Sequence, residues 1–222
     1  MPFAQRRLAA RLARVATLLE RAYGRPRRRL EDPLDSLIGT VLSQNTSDLN
    51  SERAFGSLKA AFPSWPALAR AQPRRVERAI HSGGLARTKS RRILQLLRLI
   101  RRREGGYDLR RWRRLTRAAA AARLELPGVG PKTRACVQLF ALGQPAFPVD
   151  THVHRIALRL GLAPALATAP QTQERLTRVL PETGSLSLHL NLIRLGREVC
   201  RPRQPRCTVC PLRRACRHAR AA

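Results

Sequence analysis

The apolar positions along this 222-residue chain repeat at helical spacing rather than at the spacing of strands. In two segments the apolar residues recur every three or four positions, namely Leu8, Leu12, Val15 and Leu19, and Ile93, Leu96, Leu97 and Ile100. No segment alternates convincingly between apolar and polar residues, as a half-buried strand would. The pattern therefore predicts an all-α protein.

Ten helices are predicted from this spacing, and prolines and glycines mark the joints between them. They cover roughly 6–23, 34–43, 49–61, 73–80, 88–103, 111–123, 131–142, 151–161, 171–180 and 186–199. In the helix at 88–103 we expect Arg91, Arg92 and Arg98 to face away from the buried stripe. The tail after Val199 is short, rich in Arg and Cys, and almost without apolar residues.

The charge of the chain indicates what kind of partner it binds. The formal net charge is +30, which predicts a polyanionic partner. Nucleic acid is favoured, and an acidic membrane surface or an acidic protein tail is the alternative. Part of the excess fits a genome biased towards Arg, because the chain contains only three lysines, Lys59, Lys89 and Lys132. No apolar run approaches the ~20 residues that span a bilayer.

The N-terminal segment permits two interpretations. From Arg6 to Arg27 it is rich in Arg and Ala, poor in acids and amphipathic, as mitochondrial transit peptides are. Its helical spacing instead favours a first core helix, and nothing resembles a secretory signal. We therefore expect a mature cytosolic protein whose five cysteines are reduced.

A glycine-rich hairpin, Leu126-Pro-Gly-Val-Gly-Pro-Lys-Thr133, separates two helical segments. Gly128 and Gly130 permit a positive φ and a close backbone approach, so consecutive amides can converge on a phosphate. Pro131 suits the first position of the next helix, whose N-terminal amides favour an anion. An isolated Gly-x-Gly is more often a plain helix–helix turn, but the charge of +30 favours a DNA-backbone contact.

Lys132 occupies the second position of that helix. In a chain that uses Arg almost everywhere, a retained Lys indicates a task that Arg does not perform. A lysine amine can lose its proton and act as a nucleophile or form a Schiff base, whereas a guanidinium does not deprotonate usefully. The residue types alone leave two roles open for Lys132, a nucleophile or a phosphate contact.

Asp150 stands at the predicted start of a later helix. The buried face expected for this helix consists of Val153, Ile156, Ala157 and Leu160. An Asp at such a position usually caps the helix. A carboxylate beside the C1′ atom of a sugar can also stabilise an oxocarbenium-like transition state. Capping and catalysis are compatible, and side-by-side packing of the two helices would bring Asp150 near Lys132.

Four cysteines lie within 17 residues of the tail, in the pattern Cys200-x6-Cys207-x2-Cys210-x5-Cys216. In a reducing compartment this pattern indicates a metal site rather than disulfides. Four thiolates suit either a structural zinc or an iron–sulfur cluster, and the ligand type does not separate the two. The fifth cysteine, Cys136, lies on the apolar side of its helix and is expected in the core.

In this order the motifs resemble those of the endonuclease III family of helix-hairpin-helix DNA glycosylases. The resemblance runs from the first helix through Leu42-Ser-Gln-Asn-Thr-Ser-Asp48, Gly84-Leu85, the hairpin and Val149-Asp-Thr-His152 to the cysteine tail. The cysteine spacing equals that of the family's [4Fe-4S] cluster. The resemblance therefore implies this cofactor, with Cys200, Cys207, Cys210 and Cys216 as its ligands.

The resemblance also implies an architecture and an activity. A six-helix barrel at 30–145 would carry the helix-hairpin-helix at about 116–142. A discontinuous helical domain, formed by 1–29 and 146–222, would carry the cluster loop at 200–216, with DNA in the cleft between the domains. The implied function is removal of oxidised pyrimidines from double-stranded DNA by a monomer, with strand cleavage by β-elimination. Lys132 would be the nucleophile and Asp150 its catalytic partner.

Further DNA contacts are implied by the same resemblance. Leu85 matches the residue that wedges into the base stack. Either Gln44 or Asn45 would fill the gap left by the extruded base, because this chain has Ser-Gln-Asn-Thr-Ser-Asp where the family usually has Ser-Ala-Gln-Ala-Thr-Asp. The preference for the opposite base therefore stays open. The remaining expected DNA contacts are Lys89, Gly128, Val129, Gly130, Thr133, His152, Arg201, Arg203 and Arg206.

Two alternatives remain beside this interpretation. The first is a monofunctional mismatch glycosylase of the same fold, acting on adenine or thymine; Lys132 argues against it, since such relatives generally have another residue there. The second is a non-catalytic protein that uses the hairpin only to hold DNA. It would need neither Lys132 nor Asp150, so the presence of both argues against it.

Overall fold

The computed structural model describes residues 3–180 and 184–221, and that part of the chain is helical without strands. None of the described helices is long and apolar enough to cross a membrane. The α-helices are α1 (Phe3–Tyr23), α2 (Pro33–Leu42), α3 (Asp48–Ala61), α4 (Trp65–Ala69), α5 (Pro73–Ala79), α6 (Ala86–Glu104), α7 (Arg117–Arg123), α8 (Pro131–Cys136), α9 (Thr151–Leu160), α10 (Ala169–Thr177), α11 (Ser185–Glu198) and α12 (Arg217–Ala221). The predicted all-α class is confirmed.

The chain divides into two compact units. The hairpin unit is the continuous segment Leu30–Gly143. The cysteine unit is discontinuous and combines Met1–Arg29 with Gln144–Ala222. Each unit has its own cluster of buried apolar side chains, as two independently packed cores require.

The core of the hairpin unit lies between α2, α5, α6 and the helical segment that follows the hairpin. The predicted stripe of α6 is confirmed, because Ile93, Leu96, Leu97 and Ile100 are buried. Arg91 and Arg98 are exposed as expected. Arg92 is only half-buried, and its side chain lies against the hairpin rather than in solvent.

The core of the cysteine unit is built on the first helix of the chain. The face of α1 formed by Leu8, Leu12, Val15 and Leu19 is buried, which confirms the interpretation of this segment as a core helix. Helix α1 packs along α11, and α11 packs against α9. The predicted buried face of α9 is likewise confirmed. Residues from the two ends of the chain therefore complete one core.

Two predicted helices differ from the structure. The single helix at 111–123 is wrong, because Thr116 is extended (φ −62°, ψ 157°) and its hydroxyl accepts the Ala119 amide at 3.2 Å. Thr116 thus begins α7, and Arg110–Arg114 forms a separate 3₁₀ turn. The helix predicted at 131–142 changes at Val137–Ala141 into a π-helical turn. Helices α4 and α12 were not predicted, since five residues are too few to show a period.

Candidate functional site

The hairpin of the hairpin unit presents Lys132 to solvent. Gly128 has a φ of +72°, which a side chain would strain, and a Cβ at this position would lie 2.2 Å from Nε of Arg92. Pro131 begins α8 as predicted, and Lys132 follows at the second position with an exposed side chain. No side chain caps α8, so the helix dipole favours an anion at this end.

The other hairpin residues are placed less simply than expected. Gly130 is extended (φ −76°, ψ 176°), so of the two glycines that permit a positive φ, Gly128 is the one that adopts it. Val129 is buried, and its amide donates to the Leu126 carbonyl at 3.0 Å. That amide closes the turn and is already used within the chain. Gly128 therefore provides the sharp turn, and the hairpin is stiffened from inside.

Gln44 connects the loop after α2 to the hairpin. Its side-chain amide donates to the Gly128 carbonyl and to the Thr133 hydroxyl, at 3.3 Å each. Thr133 is buried, and its hydroxyl accepts this hydrogen bond within the hairpin unit. The neighbouring Asn45 is exposed. Of the two candidates for filling the space of an extruded base, the structure thus ties Gln44 to the hairpin and leaves Asn45 on the surface.

Lys89 is the largest departure from the sequence prediction in this unit. It is 4% exposed, and its Nζ donates to the carbonyls of Leu42 at 2.6 Å and of Gly83 at 2.8 Å. Burial lowers the pKa of this ammonium, which is held by backbone oxygens rather than by a carboxylate. The prediction of Lys89 as a DNA contact is therefore corrected. Lys89 fixes the turn before Leu85 to the end of α2, just before Gln44.

Two exposed residues on these loops have a left-handed backbone. Leu85 has a φ of +48° and is 58% exposed, and Asn45 has a φ of +52°. Asn tolerates this region, whereas a bulky residue such as Leu is strained there. An apolar side chain held in solvent on a strained backbone gains nothing from the fold itself. Its position is consistent with insertion into another molecule.

The role of Lys89 leads to a testable prediction. Lys89→Met keeps the apolar stem but leaves two buried carbonyls without a donor, which costs about 2 kcal/mol and lowers Tm by about 4–8 °C. The dependence of DNA affinity on salt should not change. A fall of about 0.9 in the slope of log K against log salt would instead indicate that Lys89 contacts a phosphate. Calorimetry and fluorescence anisotropy provide the two measurements.

In the cysteine unit, Asp150 caps helix α9. Its Oδ1 accepts the Val153 amide at 2.7 Å, and its backbone is extended (φ −92°, ψ −175°). The side chain is half-buried. The capping role inferred from the sequence is therefore confirmed. One carboxylate oxygen is committed to the cap, and a single further oxygen is available for chemistry.

Two arginines on successive turns of α9 hold the loop that begins at Cys200. Arg155 donates to the carbonyls of Cys200 at 2.8 Å and of Gly196 at 2.9 Å, and it contacts Nδ1 of His152 at 3.1 Å. Arg159 donates to the sulfur of Cys200 at 3.2 Å and to the Arg201 carbonyl at 2.7 Å. Sequence reasoning missed both residues. The contacts join the helix that Asp150 caps to the first cysteine of the tail.

His152 and the tail arginines occupy different environments. His152 is half-buried and packs against α11, where a Cβ added at Gly196 would lie 2.7 Å from its Cβ. This packing and the contact with Arg155 make it part of the support of the loop. Arg201, Arg203 and Arg206 are exposed between the first two cysteines. These three guanidinium groups remain accessible to a phosphate backbone.

The four tail cysteines affect one another. Burial raises the pKa of the Cys210 thiol, and the nearby thiols of Cys200, Cys216 and Cys207 raise it further. Cys216 is buried, and the other three are half-buried. Across residues 3–180 and 184–221, no three His, Cys, Asp or Glu side chains are arranged as a group that could hold a metal ion. Cys136 is buried in the hairpin unit, as predicted.

Comparison with known proteins matches residues 38–182 to the model of the HhH-GPD superfamily of base excision DNA repair proteins. Endonuclease III of Thermotoga maritima is 36% identical over 185 residues, which cover 83% of each chain. The chain belongs to the endonuclease III family of this superfamily. It is thus a DNA glycosylase of the helix-hairpin-helix type, as the sequence motifs indicated.

Two further relatives define the extent of this similarity. A candidate DNA glycosylase of Arabidopsis thaliana is 40% identical over 168 residues, which cover 75% of this chain and 57% of that relative. A solved structure of a trapped endonuclease III–DNA covalent intermediate, an estranged-adenine complex, matches with a TM-score of 0.79 and 27% identity. It covers 100% of this chain and 99% of the other. The family similarity thus extends over both the hairpin and the cysteine tail.

Proposed function

We propose that this glycosylase is bifunctional, acting as a monomer that removes oxidised pyrimidines from double-stranded DNA and then cleaves the strand. The observation that carries the proposal is the exposed amine of Lys132 directly after the Gly128 turn, at an uncapped helix N-terminus. A primary amine at a phosphate-binding turn is placed for nucleophilic chemistry on the sugar. One structurally similar protein is an endonuclease III whose solved structure is described as a trapped covalent intermediate with DNA. This supports the same chemistry.

The reaction proceeds in two parts. The Lys132 amine forms a bond to C1′ of the damaged nucleotide, while the glycosidic bond breaks and the base leaves with its electron pair. Opening of the sugar ring gives a protonated Schiff base between Nζ and C1′. Loss of a C2′ proton then expels the 3′ phosphate and nicks the strand. The Asp150 carboxylate stabilises the positive charge that develops at C1′.

Recognition of the lesion is proposed to use the two left-handed residues. A damaged base leaves the stack at a cost of a few kcal/mol, and side chains that occupy the vacated space offset this cost. Leu85 is an exposed apolar wedge, and Asn45 is an exposed amide that can hydrogen-bond to the opposite base. Gln44 is held by the hairpin and instead maintains the distance between the two loops.

These roles separate in mutational experiments. Asn45→Ala should change the ranking of rates for the four bases opposite the lesion, because it removes hydrogen bonds that depend on base identity. Leu85→Ala should slow all four by a similar factor, because an apolar wedge does not discriminate hydrogen-bonding patterns. Single-turnover rates on four otherwise identical duplexes provide the measurement. If Asn45→Ala preserves the ranking while Gln44→Ala alters it, the reading role belongs to Gln44.

The cysteine tail is proposed to bind a [4Fe-4S] cluster through Cys200, Cys207, Cys210 and Cys216. The four cysteines supply the thiolate ligands that this cluster requires, and the other three thiols lie near enough to Cys210 to raise the pKa of its thiol. A guanidinium donates to the Cys200 sulfur, although the described side chains are not arranged as a metal-binding group. The cluster would cross-link the tail and stabilise the loop that carries Arg201, Arg203 and Arg206. Purified protein should then contain iron and sulfide in equal amounts and absorb broadly in the visible region.

Loss of one ligand tests this assignment. Cys207→Ser should reduce the iron content and loosen the loop, so that the affinity for DNA falls. The rate of the Lys132 reaction on bound DNA should not change. Cys136→Ser lies in the hairpin unit and should retain full iron content, which makes it the matched control. Metal analysis that finds stoichiometric zinc and no iron in anaerobically prepared protein would replace the cluster by a structural zinc.

The proposed function is tested with a duplex that carries one oxidised thymine. Base release and strand scission are measured separately on the same reaction. Equal amounts of released base and nicked strand support a bifunctional enzyme. Base release that requires hot alkali for scission would identify a monofunctional glycosylase, and binding without either product would identify a DNA-binding protein.

A further inference from the structure

A second basic site lies in the cysteine unit beside Cys216, and none of the residues that line it has been assigned a role in binding or catalysis above. A cavity of about 280 Å³, open to solvent, lies between the first half of α1, the end of α9 and α12. Its charged lining consists of five arginines, Arg7, Arg11, Arg14, Arg217 and Arg220. No acidic residue is among the described residues that line it. This is a concave surface with five positive charges and no internal counter-ion.

The wall of the cavity is fixed by hydrogen bonds. Arg11 is half-buried and donates to the carbonyls of Leu160 at 2.6 Å and of Gly161 at 2.9 Å, which closes the C-terminus of α9. Arg217 lies over Gly161, where an added Cβ would stand 2.6 Å from its Cδ. The glycine therefore provides the space that the Arg217 side chain occupies. The Arg11 guanidinium is thus positioned by the end of α9, and the exposed Arg217 side chain packs over the Gly161 backbone.

The arginines that line this cavity repel one another. Burial lowers the pKa of Arg11, and the charges of Arg217 and Arg7 lower it further. Like charges at short distance destabilise the fold unless an anion lies between them. The C-terminus of α9 explains the presence of one or two of these arginines, because a helix C-terminus attracts positive charge. Arg7 and Arg14 lie on α1, remote in sequence from that helix end, and need another explanation.

The spacing of the arginines on α1 matches a row of phosphates. Arg7, Arg11 and Arg14 are separated by four and three residues and so lie on one face of the helix. At 1.5 Å per residue the row is about 10 Å long. A DNA strand carries one phosphate for about every 3.4 Å of helix axis, so two or three phosphates fit along it. A single small anion would use only part of the row.

We propose that this cavity is a second phosphate-binding site, which holds a DNA backbone in addition to the hairpin. The proposal rests on the DNA glycosylase activity of the family but not on the lyase chemistry of Lys132. Borohydride trapping of a Lys132 adduct tests that chemistry by itself. Failure of the phosphate site and failure of the proposed mechanism are therefore observed in different experiments.

The test uses a double variant, Arg14→Gln with Arg217→Gln, in the full chain. On a long duplex, removal of two phosphate contacts should reduce the slope of log K against log salt by about 1.8. The matched control is Arg21→Gln with Arg27→Gln, which removes the same charge from exposed positions outside the cavity. The control should keep the slope of the unmodified protein. Equal slopes for both variants would overturn the proposal.

A second measurement identifies the source of the phosphate. Inorganic tripolyphosphate at saturation should raise the Tm of the unmodified protein and of the control by at least about 5 °C, and leave the cavity variant unchanged. Without anions the cavity variant should be at least as stable as the unmodified protein, because repulsion of Arg11 is relieved; this result excludes misfolding. Stabilisation by tripolyphosphate with an unchanged DNA slope would overturn DNA as the occupant.

Discussion

Lys132→Arg should abolish base release and strand scission together, with a loss of more than about 1,000-fold in the single-turnover rate. The substitution keeps the positive charge on the second residue of α8 but removes the primary amine that follows the Gly128 turn. Arg does not deprotonate usefully, so neither attack on C1′ nor a Schiff base is available. Borohydride should trap no adduct. Binding to the damaged duplex should persist, since one cation replaces another.

The scarcity of lysine makes this experiment well controlled. Of the three lysines, Lys89 is buried against two carbonyls, and Lys59 forms an ion pair with Asp35 at 3.1 Å. Lys59→Arg applies the same chemical change to a pair in which Arg serves equally well, and it should retain full activity. If Lys132→Arg still gives a trapped adduct, Lys132 is not the nucleophile and the proposed mechanism is wrong.

Two substitutions of Asp150 should separate its structural role from its catalytic role. Asn is as good an N-cap as Asp, so Asp150→Asn should retain the hydrogen bond to Val153 and the Tm of the unmodified protein. Base release should nevertheless fall at least about a hundredfold, because a neutral amide does not stabilise positive charge at C1′. Affinity for DNA should stay equal or rise, since a negative charge near phosphate is removed.

Asp150→Ala provides the comparison, because it removes both the charge and the cap. It should lose base release to the same extent as Asp150→Asn, and in addition lower stability by about 1–2 kcal/mol, or about 2–8 °C in Tm. A retained rate for Asp150→Asn together with a reduced Tm for Asp150→Ala would show that Asp150 only caps α9. Calorimetry and single-turnover kinetics on both variants decide between these outcomes.

Hydrophobic periodicity predicted the helices and the faces that they bury, because both depend on residues three or four positions apart. Leu8, Leu12, Val15 and Leu19 show this, since each is buried where the spacing placed it. Where a local polar interaction interrupts the period, the prediction fails. Thr116 is such a case, as its extended backbone separates two helical segments and its hydroxyl caps the second within an otherwise suitable run.

The supporting contacts of the site were not predictable from the sequence, because they join residues that are far apart along the chain. Lys89 reaches Leu42 across 47 residues, and Gln44 reaches Gly128 across 84. Nothing near Lys89 distinguishes a buried ammonium from a surface cation. Nothing in the sequence likewise distinguishes Arg155 and Arg159 from the other arginines. In the structure both hold a loop more than 40 residues away.

The discontinuity of the cysteine unit has a consequence for the order in which the protein folds during synthesis. The hairpin unit is continuous and can fold once residue 143 has left the ribosome. Helix α1, which is synthesised before α11, buries its apolar face against that helix, whose last residue is Glu198. Roughly 170 residues lie between the end of α1 and the end of α11. At a synthesis rate of about 5–20 residues per second, α11 is therefore completed about 8–35 s after α1. During this time four leucine and valine side chains of the nascent chain are exposed to chaperones and to other nascent chains.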